Sequence, residues 1–234
     1  MNLEIGRAAA YDALCMRALA LGLAVRGAFH PKTGDFEALL PSVPVGTIVL
    51  LGFTSAMQWE TYQSSAEARD EIADPLDRWS RRVIGTLARE LGALDIYPNG
   101  SSPQLSFQQL AVRCEPVHRS PIGLLIHAEW GLWHAYRGAL VLAERIELPI
   151  ISRSANPCDA CGEKPCLSAC PVDAFRAGAF DLKACVDHVR SGAGADCRAR
   201  GCVARRACPV GVRHRYAEQQ AGFHMEAFLR SAPP

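Results

Sequence analysis

Eight of the ten cysteines lie within fifty-one residues, in two runs that each close on Cys-Pro. The first run is Cys158-x2-Cys161-x4-Cys166-x3-Cys170-Pro171, and the second comprises Cys185, Cys197, Cys202 and Cys208-Pro209. Closely spaced thiolates wrap one face of a metal cluster within a tight turn, and a proline after the last Cys sends the chain away from it. Eight thiolates are the ligand set of two cubane [4Fe–4S] clusters, so the spacing predicts a chain that moves electrons. Disulfides are the first alternative use of so many cysteines. They belong to oxidising compartments, and the start MNLEIGRAAAYD lacks the basic flank and apolar stretch of a secretory signal, so a cytoplasmic chain is expected. Two structural zinc sites of four thiolates each are the second alternative, since Cys-x2-Cys pairs are common there.

The first run resembles the bacterial two-cluster ferredoxin run, in which the Cys before Pro ligates the other cluster. That resemblance implies Cys158, Cys161, Cys166 and Cys208 around one cluster, and Cys170, Cys185, Cys197 and Cys202 around the other. The sequence departs from it at Gly162-Glu163-Lys164-Pro165, which makes the second gap four residues long, so the loop is expected to bulge there.

Length and charge fit this division. A chain of 234 residues holds one good-sized domain and a small one, here expected as 1–150 and 151–234. Net charge is +1, which offers no overall basic field and argues against a nucleic-acid partner. The halves differ: residues 1–150 carry 13 basic and 16 acidic side chains, residues 151–234 carry 12 and 8. The arginines of the second part read first as compensation for negatively charged clusters, and second as a docking patch for an acidic electron donor of the ferredoxin or flavodoxin type. No apolar run reaches membrane-spanning length.

The first 150 residues read as α/β. Asn2 to Gly22 has helical spacing, Gly46 to Phe53 is a buried strand, and Asp74-Pro75 opens a helix that runs to Leu91-Gly92. Asp95 to Tyr97 is a short strand closed by the turn signal Pro98-Asn99-Gly100, and Ser106 to Arg113 is a short helix. Ile122 to Ile126 and Ala139 to Leu142 read as strands. Between them lie His127, Trp130, Gly131, Trp133, His134, Tyr136, Arg137 and Gly138, a density of rings, polar handles and glycines that suits a large flat ligand, or equally a packed strand end. Cys15 and Cys114 read as packing thiols, Trp59 and Trp79 as core, and His30, His118, His188, His214 and His224 as ordinary histidines.

The run Ile126-His127-x3-Gly131-x-Trp133-x3-Arg137-Gly138 resembles a segment of cobalamin-processing proteins of the CblC type. Thr47 to Gly52 and Asp74-Pro75-Leu76-Asp77 are similar to further segments of that family. The resemblance implies a nitroreductase-like α+β domain that binds cobalamin without its lower base coordinated. On it, His127 matches a residue expected at the corrinoid or its nucleotide tail, and Gly131, Trp133 and Arg137 match structural or lining neighbours. The cysteine-rich part, including Phe180 to Cys185, resembles epoxyqueuosine reductases, which place a two-cluster ferredoxin-like module after such a domain. Reductive dehalogenases share that domain logic. The chain lacks the helical-repeat extension of the former and a twin-arginine signal, and Asp187-His188 lacks the spacing of an Asp-x-His-x-x-Gly motif, so no protein histidine is expected on cobalt.

Four functions follow from these resemblances. The favoured one is a reductase that passes electrons through two clusters to cobalamin and removes its upper ligand, as in decyanation or dealkylation. Next is a cobalamin-dependent reductase of another substrate, which needs a proton donor; Tyr136, His134 and Tyr97 are the candidates. The remaining two are an electron carrier or corrinoid chaperone, and the same fold holding FMN.

Overall fold

The computed structural model describes residues 2–32, 34–36, 40, 42–98, 106–176 and 179–233, with side chains described from residue 10 onward. The turn expected at Asn99-Gly100 lies outside the described residues.

The chain folds as two compact units. One takes the chain up to Pro116 and again over His134–Arg153; the other takes Val117–Trp133 and Ser154–Pro234. A simple cut near residue 150 therefore misses an exchange: residues 117–133 group with the cysteine-rich segment.

The first unit is built on an antiparallel sheet. Helix α1 (Asn2–Ala20) leads into β1 (Ala24–Phe29) and β2 (Thr47–Phe53), followed by α2 (Ala56–Gln63), α3 (Pro75–Leu91), β3 (Leu94–Ile96) and α4 (Phe107–Cys114). After β4 (Val117–Arg119) and β5 (Leu125–His127) of the other unit, β6 (Ala135–Leu142) completes the sheet in the order β1-β2-β6-β3. Strand β2 is buried at every position, as its unbroken apolar sequence TIVLLGF requires of a strand covered on both faces. Trp79 packs at 5.7 Å from Phe53 and 5.9 Å from Tyr62, and with Trp59 it belongs to the core. Helix α3 opens as expected, with Pro75 in its first turn, but Asp74 stands in the left-handed region at φ 52° and its side chain caps nothing. Cys114 is buried, whereas Cys15 is only half-buried.

The second unit is loop-rich. It holds the β4–β5 hairpin, α5 (Pro165–Ser168), the two-residue strands β7 (Phe175–Arg176) and β8 (Ala179–Phe180), α6 (Leu182–Arg190), α7 (Ala195–Arg200), α8 (Val203–Arg206) and α9 (Glu218–Ser231). Its own segment is poor in long apolar runs, and the hairpin region makes up the deficit. Ile122, Ile126 and Leu132 form one buried cluster with Cys166, Ala204 and Cys208. His118 adds a hydrogen bond between Nε2 and the Ser154 carbonyl at 2.9 Å. This packing is the physical reason why 117–133 joins the cysteine-rich segment: small loop-rich segments must recruit apolar area to fold.

Candidate functional site

Five short elements position the eight thiols. Cys158 and Cys161 sit on a turn in which the Cys161 amide donates to the Cys158 carbonyl at 3.3 Å. Cys166 rides on α5 and Cys170 follows it, Cys185 rides on α6 and Cys197 on α7, while Cys202 starts α8 and Cys208 follows it. The four-residue gap after Cys161 is accommodated by Lys164, whose φ of 42° turns the chain into α5.

The thiols gather into two quartets. Cys158, Cys161, Cys166 and Cys208 line one apolar cavity together with Pro157, Pro165 and Pro209. Burial pushes Cys158 up to about 11, and the negative charge that Cys208, Cys166 and Cys161 would carry pushes the same way. Cys185 is likewise pushed up to about 11 by burial first, then by Cys202, Cys170 and Cys197. Four thiolates so close together need a cationic core to stay deprotonated, which an iron–sulfur cluster supplies. Backbone amides already face several sulfurs: Ala174 donates to Cys170 Sγ at 3.4 Å, and Ala204 and Arg205 at the start of α8 donate to Cys202. Such donors favour a charged sulfur. Among the described residues, no three His, Cys, Asp or Glu side chains converge on a single point as one metal ion requires. The first quartet instead surrounds a space.

Three of the residues read from the CblC-like segment lie in this second unit. His127 Nδ1 accepts from the amides of Glu129 and Trp130 at 3.1 and 3.4 Å, and its ring stacks on Trp130 at 4.0 Å. With Nδ1 as acceptor, the ring proton belongs on Nε2. Gly131 stands at φ +56°, and a Cβ there would lie 2.1 Å from the Val210 carbonyl oxygen. Gly211 meets Trp130 in the same way from the other side. These two glycines let the end of the hairpin lie directly against the segment that follows Cys208. Trp133 is 3% exposed, its ring meets that of Tyr216 edge-on at 5.4 Å, and the Arg205 guanidinium lies over both, 4.5 and 4.6 Å from the two centroids. Gly131 and Trp133 thus serve packing in this unit.

Arg137 belongs to the first unit, where it lines a cavity of about 230 Å³ with Asp77, Ser80, Arg81, Tyr97, Pro98 and Tyr136. Its guanidinium pairs with Asp77 and donates from Nε to Ser80 Oγ at 3.0 Å. The Asp-Pro-Leu-Asp helix start and the Arg137 strand, read separately in the sequence, therefore meet at one place. Two of the three candidate proton donors face the same cavity. Tyr97 donates its hydroxyl to Asp95 Oδ2 at 2.6 Å, and Tyr136 donates to Glu115 Oε1. Burial, reinforced by the adjoining carboxylate, raises both phenols well above their ordinary value, so each stays an O–H donor at neutral pH. His134, the third candidate, is buried, and its Nδ1 lies 3.2 Å from Arg26 Nη2.

Two further residues behind this cavity carried no sequence signal. Arg26, whose side chain is 0% exposed, pairs with Glu115 at 2.8 Å across 89 positions of chain and donates to the Phe53 carbonyl at 3.2 Å. Burial pushes the Glu115 carboxyl up against the pull of Arg26. The pair anchors the hydroxyl of Tyr136 from within the core. A cavity of 230 Å³ is smaller than the roughly 300–1,000 Å³ that encloses a drug-sized ligand, so within this unit it could receive only an edge of a corrinoid.

No protein-family model matches the sequence, and no curated protein matches it. Among solved structures, a selenomethionine-labelled epoxyqueuosine reductase is similar with a TM-score of 0.52 at 13% identity, over 90% of this chain and 68% of that one. An epoxyqueuosine reductase from Bacillus subtilis gives 0.49 at 14%, covering 89% and 67%. The same enzyme type holding an epoxyqueuosine-modified tRNA stem loop gives 0.49 at 14%, also over 89% and 67%. The first of these likenesses shows a shared α/β fold. Among the described residues, no helix is long and apolar enough to cross a membrane.

Proposed function

We propose that the chain is an iron–sulfur oxidoreductase of the cobalamin-dependent kind, and that it passes electrons through two [4Fe–4S] clusters in a ferredoxin-like second unit. One observation carries this reading: eight thiols in two quartets, with Cys170 and Cys208, the two residues before proline, each grouped with the opposite run. That crossing is what a two-cluster fold produces, and two independent zinc sites have no need of it. The fold shared with an epoxyqueuosine reductase supports reductase chemistry, and the cavity of Tyr97, Tyr136 and Arg137 supports a bound corrinoid edge.

Cobalamin, when bound, would supply a reducible cobalt centre that carries or activates the group to be removed. In the first unit, Arg137, paired with Asp77 and braced by Ser80, would orient its edge, with Tyr97 and Tyr136 keeping protons at the cavity wall. On the favoured reading the corrinoid itself is the substrate, and reduction drives off its upper ligand.

The second reading, reduction of a separate substrate, is favoured by the two tyrosines, each held by a carboxylate, because a reduction that also protonates its product needs such donors. An epoxyqueuosine-bearing RNA falls within this reading. Net charge averages over a whole surface, so a value of +1 does not exclude a nucleic-acid partner.

The deciding experiment adds hydroxo- and cyanocobalamin to anaerobic protein and follows the visible spectrum after a low-potential donor is supplied. The account expects cobalamin binding, reduction that depends on the clusters, and loss of cyanide. A Cys197→Ala variant that retains its fold should bind cobalamin without reducing it. If cobalamin binds to neither form, or cyanide is lost equally without clusters, the reading fails and a flavin-dependent enzyme or a simple electron carrier replaces it.

A further inference from the structure

The second unit contains a cavity that the cluster sites do not use. It measures about 450 Å³ and is lined by Arg200, Val203, Arg206, Ala207, Arg215, Tyr216, Ala217 and Glu218. Three guanidiniums face it against a single lining carboxylate. Arg200 is held by Glu218 at 2.7 Å and Asp196 at 3.3 Å, and Arg206 is held by Asp196 and by the Gly201 carbonyl at 3.2 Å. Arg215 differs from both. It is exposed, its described hydrogen bond goes to the Arg206 carbonyl at 2.5 Å, and it has no carboxylate partner among the described residues. Tyr216 forms the apolar wall, fixed from behind by the Arg205–Trp133 stack.

The position of this cavity is as telling as its charge. Val203, Arg206 and Ala207 lie between Cys202 and Cys208, one thiol from each quartet, so a molecule seated here stands within a few residues of both. The compensation of cluster charge does not require an exposed guanidinium at a cavity wall with no carboxylate beside it, yet Arg215 is held there by the Arg206 carbonyl.

We propose that this cavity is the docking point for carboxylates of an acidic, low-potential electron-donor protein, and this inference rests on the two-cluster reading above. Planar guanidiniums bind carboxylates in a fixed fork, and electron-transfer encounters are small and electrostatically steered, so a few arginines around a concave site suffice. The step balances simply: the reduced donor loses one electron, one cluster passes from the 2+ to the 1+ state, and no proton moves.

The test compares two reductants on holo-protein. A reduced ferredoxin of net negative charge is mixed with the wild type and with Arg215→Glu by anaerobic stopped flow, at about 0.05 M and about 0.5 M salt, concentrations that bracket a Debye length of about 10 Å. Methyl viologen radical, a small cationic reductant, serves as the reference. Cluster bleaching by ferredoxin should be roughly tenfold slower in Arg215→Glu at low salt, the difference should shrink at high salt, and Arg215→Lys should stay near wild type. Bleaching by methyl viologen should not fall in any variant. If Arg215→Glu keeps the wild-type rate with ferredoxin while methyl viologen reduces both, the docking inference is overturned and the cluster reading stands. If the variant instead loses affinity for a tRNA stem loop at an unchanged donor rate, the cavity is a phosphate site and the inference is again wrong. If methyl viologen reduces neither protein, the cluster reading fails and this inference fails with it.

Discussion

On the proposed two-cluster reading, Gly131→Ala should remove one cluster and leave the other. An L residue at φ +56° costs roughly 1–2 kcal/mol for its left-handed backbone. The new methyl would also stand 2.1 Å from the Val210 carbonyl oxygen. That oxygen is backbone and cannot swing aside, so the segment following Cys208 must shift, at an overpacking cost of roughly 1–3 kcal/mol. Together these come to about 2–5 kcal/mol, a factor of roughly 30 to 4,000 in the population of the packed arrangement, at about 1.4 kcal/mol per tenfold. The strain falls beside Cys208, a member of the first quartet, while the second quartet sits on the turn after α5, on α6 and α7, and at the start of α8. Iron and acid-labile sulfide measured on anaerobic protein should drop from about eight of each per chain to about four. A Gly131→Ala protein that retains the full complement would refute the role of the hairpin in holding Cys208. One that loses everything would refute the independence of the two quartets.

Other outcomes follow from the same geometry. Cys170→Ala, which breaks the second quartet, should expose residues 154–234 to limited proteolysis, because metal binding and folding are coupled in so loop-rich a segment; native protease resistance would show that the clusters do not organise this unit. Tyr136→Phe strips Glu115 of a buried hydrogen bond and should lower stability by roughly 1–3 kcal/mol in urea unfolding, whereas an unchanged midpoint would mean that water replaces the hydroxyl. Glu67, held by Arg82, has its carboxyl lowered to about 2 from an ordinary 4.5, so its contribution to stability is present above pH 4.5 and fades as the pH falls towards 2. Arg82→Ala should therefore cost up to about 1 kcal/mol at neutral pH and progressively less as the pH falls through 2, an effect kept small because Arg82 is more than half exposed. His127→Ala should weaken cobalamin binding with the iron content intact, and His127→Gln, which keeps an N–H donor, should restore part of it.

The gathering of the cysteines was the most legible feature of the chain, because they sit on local turns and short helices whose spacing the sequence records directly. The irregular gap after Cys161 was readable as a bulge, though the left-handed turn at Lys164 that resolves it was not. Strand β2 and helix α3 declared themselves through an unbroken apolar run and a proline start. Tyr97, Tyr136 and Arg137 were recognisable by type, yet only the fold brings them to one cavity with Asp77. Arg26 and Glu115 were invisible, since a pair formed across 89 residues leaves no local pattern. The grouping of residues 117–133 with the cysteine-rich segment was hidden for a related reason. It is set by where Ile122, Ile126 and Leu132 find apolar partners, which no period within the hairpin encodes. Gly131 and Trp133 stood out as part of a dense motif, with a structural and a ligand-lining role both open. Their surroundings explain them as packing against Val210 and Tyr216.

The most direct test of the central claim is the metal content of protein purified without oxygen. Two quartets of thiolates predict roughly eight iron and eight acid-labile sulfide per chain, with a visible absorption that bleaches on reduction. Stoichiometric zinc with no sulfide would contradict the account.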